Sequence, residues 1–272
     1  MKTKEHYFEE IASYKLLAKK EVGQNFLIDC DVARRIVEAL NIQPGEKVLE
    51  IGCGAGSLTY FLAQSEGQID AIDIDEAMIA KISGDFESEK NVHCFQANAM
   101  RFDYYSSYDK IIGNLPYYIT SGIFEQVLLG AMKAKTAVFM IQKEAADRLL
   151  SKPRTEDYSA LNVFLSLSGD TERLFRVSRD CFAPAPHVDS SVLRIQFAKS
   201  HNEEAISAYH WAKRLFLKRR KTLVNNLRAN GFTPEECEAI LTDNSIPMSA
   251  RPEELTPSQY LALSQTILSM KR

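Results

Sequence analysis

The chain has 272 residues, of which 45% are hydrophobic and 25% are charged, as in a globular protein that buries a core. Its net charge of −3 excludes a uniformly basic nucleic-acid binder but not a local basic patch. The five dispersed cysteines include no C-x-x-C pair, which argues against a disulfide framework, argues against structural zinc, and favours a cytoplasmic protein without a metal. With no secretory signal and no long apolar run, we expect no membrane association.

Apolar residues recur in patterns that predict strands and helices in succession. The predicted helices lie at 31–40, 59–63, 76–82 and 121–129. The predicted strands lie at 47–51, 68–74, 92–96, 108–112, 137–141, 163–167 and 192–197. Alternation of the two implies an α/β fold, with helices on both faces of a parallel sheet. Ligands of such sheets bind beyond the carboxyl ends of the strands.

The composition of the chain shifts at 199–202. Beyond Tyr209 the pattern predicts helices, which are interrupted by Pro234, Pro247, Pro252 and Pro257. We therefore predict two domains, a catalytic domain of residues 1–199 and a helical C-terminal domain of residues 200–272.

A glycine-rich loop follows the predicted strand at 47–51. Its sequence is Glu50-Ile51-Gly52-Cys53-Gly54-Ala55-Gly56-Ser57. Glycines allow a sharp turn and a close approach to a ligand, but serine stands where the dinucleotide fingerprint has its third glycine. The spacing favours a cofactor without phosphates, such as S-adenosylmethionine, and disfavours a nicotinamide oxidoreductase. The alternative is a turn that only packs strand against helix.

Polar side chains follow the next two predicted strands. Asp73 stands at a strand end, where a carboxylate can accept hydrogen bonds from both ribose hydroxyls, and Asp75 suits a helix N-cap better. Asn98 follows the third strand and can face an adenine ring, although a lone asparagine there is more often a turn residue.

The segment Asn114-Leu115-Pro116-Tyr117 follows the fourth predicted strand. Acceptors placed on an exocyclic adenine amine, here the Asn114 side-chain oxygen and the Leu115 carbonyl, favour a tetrahedral nitrogen in the transition state. Pro116 fixes φ, and Tyr117 can stack on the base. The same residues also suit an ordinary proline turn with a packed tyrosine.

Phe182 lies in the loop Cys181–Ser190, whose two prolines hold an extended shape. We predict that it closes the other side of an extruded adenine, with a buried loop anchor as the alternative.

A cluster of cations between Tyr209 and Asn230 contains no acid. Apolar residues recur there at helical spacing, so one face packs and another is basic. We predict RNA phosphate contacts rather than a merely solvated face, by Lys213, Arg214, Lys218, Arg219, Arg220 and Lys221.

Together these residues resemble the small-subunit ribosomal RNA adenine N6,N6-dimethyltransferases of the KsgA type. The resemblance covers nearly the whole chain, and its motifs are Gly23-Gln24-Asn25-Phe26-Leu27, the glycine loop, 114–117, Gln142-Lys143-Glu144 with Arg148, 182–190, 218–223 and Arg251-Pro252-Glu253. It implies a Rossmann-like catalytic domain, a small all-helical C-terminal domain, and S-adenosylmethionine-dependent dimethylation of two adjacent adenines in the 3′-terminal hairpin of 16S ribosomal RNA. The partner expected is the small ribosomal subunit, bound by a monomer.

The resemblance also implies functional residues by position. Tyr117 and Phe182 would hold the target base. The cofactor contacts would be Asn25, Leu27, Gly52, Gly54, Asp73, Asn98 and Asn114. Asp73 replaces the family's usual glutamate and keeps the carboxylate. Asn98 replaces its usual aspartate and loses the charge, so we expect weakened cofactor binding because charge-assisted hydrogen bonds are the stronger ones.

Two other functions remain open at this point. The changes at Asp73 and Asn98 allow a small-subunit assembly factor with weakened catalysis, which the intact 114–117 segment opposes. The glycine and asparagine loops are also compatible with a large-subunit ribosomal RNA adenine methyltransferase that confers antibiotic resistance.

Overall fold

The computed structural model describes residues 2–14, 24–104, 108–116, 120–130, 133–198 and 203–270. The helices are α1 (Lys4–Ser13), α2 (Cys30–Glu38), α3 (Thr59–Leu62), α4 (Glu76–Asp85), α5 (Thr120–Gly130), α6 (Lys143–Leu149), α7 (Ala160–Ser168), α8 (Glu203–Phe216), α9 (Leu223–Ala229), α10 (Pro234–Asp243) and α11 (Pro257–Met270). The strands are β1 (Phe26–Leu27), β2 (Lys47–Ile51), β3 (Gln68–Asp73), β4 (Val92–Gln96), β5 (Lys110–Asn114), β6 (Thr136–Gln142), β7 (Gly169–Val177), β8 (Phe182–Ala183) and β9 (Ser190–Phe197).

The main sheet has seven strands in the order β4-β3-β2-β5-β6-β9-β7. Strands β2 to β6 pair in parallel, whereas β9 runs antiparallel to β6, so the sheet is mixed. The central strands are nearly continuous apolar runs because a parallel sheet is buried on both faces. Since β2 lies between β3 and β5, the order of the strands reverses there, which opens a crevice at their carboxyl ends.

The predicted strands at 47–51, 68–74, 92–96, 108–112, 137–141 and 192–197 are confirmed, most of them within two residues at either end. The four predicted helices are also present. Asp29 caps α2 and accepts hydrogen bonds from the amides of Asp31 and Val32. Asp75 caps α4 through the amide of Ala77.

One predicted element is wrong, because the segment 163–167 belongs to helix α7 rather than to a strand. A short buried apolar run does not distinguish the two structures. The helix begins with a capping box between Ser159 and Asn162, and the Asn162 amide donates to the carbonyl of Arg148 at 2.7 Å. The Asn162 side-chain oxygen also accepts from the amide of Ser159 at 2.9 Å, so this one side chain joins the start of α7 to the segment before it.

The chain forms two compact units, Met1–Ala146 with Glu172–Phe197, and Asp147–Thr171 with Ala198–Arg272. In the second unit α7, α8 and α11 pack together. The rings of Phe164 and Tyr209 stack with centroids 4.7 Å apart. Tyr158 donates to the carbonyl of Leu255 at 3.0 Å. The residues 147–171 therefore join the C-terminal helices in a shared core.

Candidate functional site

The glycine loop leaves β2 at the carboxyl edge of the sheet, where it turns sharply. Gly52, Gly54 and Gly56 have φ angles of +71°, +51° and +90°, which L residues rarely adopt. The amides of Gly52 and Cys53 both donate to the carbonyl of Ile72, at 2.8 and 3.1 Å, so the loop is fixed to the neighbouring strand. A side chain at Gly52 would lie 3.6 Å from the Asn114 carbonyl, which shows how closely the two loops approach.

Ser57, which replaces the third glycine of the dinucleotide fingerprint, has a structural role. Its hydroxyl donates to the carbonyl of Leu27 at 2.6 Å, and this ties β1 to the glycine loop. The ring of Phe26 lies 3.7 Å from the position that a Cβ on Gly54 would take. The predicted contact residues Asn25 and Leu27 thereby come to the edge of the same cavity.

Asp73 ends β3 with its carboxylate held by main-chain amides. One oxygen accepts from the amide of Gly54 at 2.9 Å and the other from the amide of Asp75 at 2.8 Å. Burial raises the pKa of Asp73, and the two amide hydrogen bonds oppose this effect. The carboxylate is thus oriented and retains acceptor capacity towards the cavity that it lines.

Glu50 is a site residue to which the sequence pattern assigned no role beyond preceding the glycines. It lines the cavity and is 1% exposed. The hydroxyl of Thr59 donates to its carboxylate at 2.7 Å. Burial, with a smaller contribution from the charge of Asp73, raises the pKa of Glu50 to about 8. The signal available in the sequence was an acid two residues before the first glycine of the loop.

Asn98 lies in the loop after β4 and also lines the cavity. Its side-chain oxygen accepts from the amide of Met100 at 2.9 Å, so it forms the turn that the sequence suggested as the alternative. This bond occupies one lone pair of the oxygen and fixes the direction of the side-chain NH₂ group.

The asparagine loop begins where β5 ends. Asn114 pairs with Met140 in the parallel ladder, and the amide of Leu115 donates to the carbonyl of Met140 at 3.0 Å. Leu115 is buried. The hydroxyl of Thr120 donates to the carbonyl of Pro116 at 3.1 Å, which fixes the loop further. Tyr117 lies outside the described residues.

Phe182 lies in the short strand β8. It is 4% exposed and pairs with Leu27 in the two-stranded β1–β8 ladder. It is absent from the described residues that line the cavity. The ring therefore serves here as the buried anchor of its loop, and stacking on a base stays a prediction.

A single cavity joins the glycine loop, the ends of β3 and β4, and the asparagine loop. Its described lining contains the acids Glu50 and Asp73 and no lysine or arginine. The lining includes Gln24, Asn25, Phe26, Leu27, Gly52, Gly54, Ile74, Ala97, Asn98, Asn114, Leu115 and Pro116. Such a lining suits a cationic nucleoside better than a pyrophosphate, which requires positive charge or several free amides.

The cations predicted to contact RNA lie at the end of α8 and in the turn that follows it. Five of them are exposed, namely Lys213, Arg214, Lys218, Arg220 and Lys221. Arg219 is half-buried instead, and it donates to the carbonyls of Thr155, at 2.8 Å, and of Glu156. Its Nε lies 3.8 Å from the carboxylate of Glu253. Arg219 therefore stabilises the second unit.

Among the described residues, no helix is both long and apolar enough to cross a membrane. Their His, Cys, Asp and Glu side chains form no group of three or more that could hold a metal ion.

Comparisons with known proteins agree on one family. A model described as ribosomal RNA adenine dimethylase matches residues 15–268. The chain is 32% identical to the ribosomal RNA small subunit methyltransferase A of Malacoplasma penetrans over 96% of both chains. It is 31% identical to the protein of that name from a Geobacillus species, over 95% of this chain and 94% of the other.

Solved structures show the same likeness. A dimethyladenosine transferase from Plasmodium falciparum has a TM-score of 0.77 and 25% identity, covering 89% of this chain and 96% of the other. The 23S ribosomal RNA methyltransferase ErmE has a TM-score of 0.67 and 26% identity, covering 89% and 99%.

Proposed function

Because this chain belongs to the ribosomal RNA adenine dimethylase family, we propose that it dimethylates the N6 amines of two adjacent adenines in the 3′-terminal hairpin of 16S ribosomal RNA. The methyl donor is S-adenosylmethionine, and the relatives named small subunit methyltransferase A favour the small-subunit substrate. One observation carries the site: the glycine loop after β2 and the asparagine loop after β5 line the same cavity.

The acids of the cavity fit the cofactor, which carries an ammonium group, a sulfonium and no phosphate. Asp73 would accept from the ribose hydroxyls, and Glu50 would face the positive charge of the amino-acid end. Asn98 would contact the adenine ring, while Asn25, Leu27, Gly52 and Gly54 would complete the contacts. When bound, S-adenosylmethionine supplies an activated methyl group.

Residues of the asparagine loop would hold the adenine amine for attack. The Asn114 side-chain oxygen and the Leu115 carbonyl would accept from its two N–H groups, which favours the tetrahedral nitrogen of the transition state. Pro116 keeps the loop rigid, and Tyr117 would stack on the base. Positioning of this kind supplies much of the rate when the methyl group is already activated.

The exposed cations of the second unit would contact ribosomal RNA phosphates. We assign this role to Lys213, Arg214, Lys218, Arg220 and Lys221, and assign Arg219 to holding the segment at 155–156 beside them. We further propose a helical ribosome-binding domain formed around residues 200–272, a monomeric enzyme and a cytoplasmic location, which is where small subunits are assembled in bacteria.

Transfer of labelled methyl groups to unmethylated small subunits tests the proposal. We expect incorporation into two adenines with the unmodified protein and loss of at least about 100-fold in rate with Asn114→Ala, because one transition-state acceptor is removed. Asn225→Ala, at an exposed position of α9, is the matched control and should retain activity. Transfer to large subunits instead, or binding to small subunits without transfer, would refute the proposed substrate or reaction.

A further inference from the structure

Helix α1 forms part of the core of the first unit. Its residues Tyr7, Phe8 and Ile11 are buried. The Tyr7 ring stacks on Tyr60 with centroids 4.9 Å apart and meets Phe86 edge to face at 5.9 Å. The sequence patterns assigned no function to this helix, yet it packs directly behind the glycine loop.

The contact with the loop is made at one carbonyl, that of Ala55. It accepts a hydrogen bond from the Tyr7 hydroxyl at 3.0 Å and another from the Lys81 ammonium at 3.3 Å. A Cβ at Gly56 would lie only 2.3 Å from the same hydroxyl. Ala55 lines the cavity, whereas Tyr7 and Lys81 are not among its described lining residues. The two side chains therefore touch the loop from its outer side.

Ion pairs hold Lys81 in place beneath the loop. Its ammonium pairs with Asp85 and lies 4.7 Å from the centroid of the Tyr7 ring, an attractive cation–π geometry. Lys2 bonds both Asp85, at 3.1 Å, and Glu10, at 2.5 Å. The side chains of Lys81 and Asp85 are 11% and 13% exposed, so water screens this pair weakly, and the more exposed Lys2 and Glu10 extend the network to α1.

We propose that Tyr7 and Lys81 are positioning residues that hold the Ala55 carbonyl, and with it the glycine loop, in the conformation that receives S-adenosylmethionine. The inference rests on the proposed cofactor site. Because both residues act through the loop and neither reaches the reacting atoms, they set the affinity for the cofactor and leave the methyl-transfer step unchanged.

Two substitutions that remove only the hydrogen-bonding group distinguish a positioning role from a packing role. Tyr7→Phe keeps the stacked ring but loses the hydroxyl, and Lys81→Met keeps the chain length but loses the ammonium. We expect each to raise the Kd and KM for S-adenosylmethionine about three- to tenfold, as loss of one buried hydrogen bond implies. The kcat at saturating cofactor should stay within about twofold, since the lost interaction stabilises the bound ground state and the transition state equally.

Tyr60→Phe is the matched control, because its hydroxyl donates to the Lys2 carbonyl at 3.1 Å and leaves Ala55 untouched. It should bind the cofactor as the unmodified protein does. Unchanged Kd in both Tyr7→Phe and Lys81→Met overturns the inference, as does an equal rise in Tyr60→Phe. Absence of binding by the unmodified protein instead overturns the cofactor site itself. If Tyr7→Phe fails to fold by circular dichroism, Lys81→Met decides the question.

Discussion

Cofactor binding should release a proton from Glu50, and its affinity should rise with pH. The pKa of this carboxyl is raised from 4.5 to about 8 by burial, so at neutral pH the free protein holds it mostly protonated. A cation beside it favours the carboxylate. Binding of S-adenosylmethionine therefore shifts Glu50 to its ionised form. Because this releases a proton, the affinity for the cofactor increases as the pH rises.

The size of the effect follows from the ionised fraction. With a pKa of about 8, about one Glu50 in 100 is ionised at pH 6 and about one in ten at pH 7. The association constant should therefore rise up to about tenfold between these values, or about 1.4 kcal/mol. Stability of the cofactor-free protein moves the other way. A raised acid pKa means that the native state binds more protons than the unfolded chain above pH 4.5, so stability falls as pH rises towards 8.

Isothermal titration in two buffers with different heats of ionisation measures both the affinity and the protons released. Glu50→Gln is the control, because it removes this titration while the cofactor's own amino group still titrates near pH 8. We expect the control to lose most of the rise in affinity between about pH 6 and about pH 7. Equal pH dependence in the two proteins, or no proton release from the unmodified one, would refute the reasoning.

Five further substitutions have defined outcomes. Asn98→Asp should tighten S-adenosylmethionine binding about two- to tenfold in titration calorimetry, because a charged acceptor makes the stronger bond. Gly56→Ala should lower the free energy of unfolding in urea by more than about 2 kcal/mol, since its φ is +90° and a methyl group would collide with a buried hydroxyl. Gly84→Ala, with nothing within 4 Å, should instead stabilise α4 by about 0.5–1 kcal/mol. Arg219→Ala should cost about 1–2 kcal/mol of stability, whereas exposed Lys218→Ala should leave stability unchanged and reduce the salt dependence of small-subunit binding.

For each of these substitutions, a different result would contradict the reasoning behind it. Unchanged affinity after Asn98→Asp would mean that this side chain does not accept from the adenine amine. Equal unfolding free energies for Gly56→Ala and Gly84→Ala would remove the argument from backbone conformation. Loss of small-subunit binding by Arg219→Ala without loss of stability would mean that Arg219 contacts RNA instead of holding the second unit together.

Local patterns were sufficient to predict the half of the fold that carries the cavity. The strand at 47–51 and its glycine loop have a periodicity and composition that few other structures satisfy, and Asp29 and Asp75 are cap residues with an evident mechanism. The segment 163–167 was different, because a short run with four apolar residues among five fits a strand or a buried helix equally well. The deciding bond, from Asn162 to the Arg148 carbonyl, joins residues fourteen positions apart.

Partners that are distant in sequence determine what the local patterns did not predict. Phe182 was expected at the target base because its loop is rigid, and that role stays a prediction, whereas its pairing with Leu27 depends on a segment far away in the chain. Arg219 and Arg220 have the same neighbours in sequence, and they are distinguished by the carbonyls at 155–156 and the carboxylate of Glu253, which, of these two arginines, only Arg219 contacts among the described residues. Glu50 was visible as an acid, while its burial depends on how the surrounding loops pack.

The ladder between β2 and β5 fixes the spacing of the two loops that line the cavity. Ile51 is opposite Gly113 in that ladder, and adjacent strands lie about 4.8 Å apart whatever their side chains. The glycine loop and the asparagine loop start from this fixed spacing, so main-chain hydrogen bonds set how far apart the two loops leave the sheet. The surfaces that select an RNA can therefore change in sequence while the spacing of the two loops stays constant.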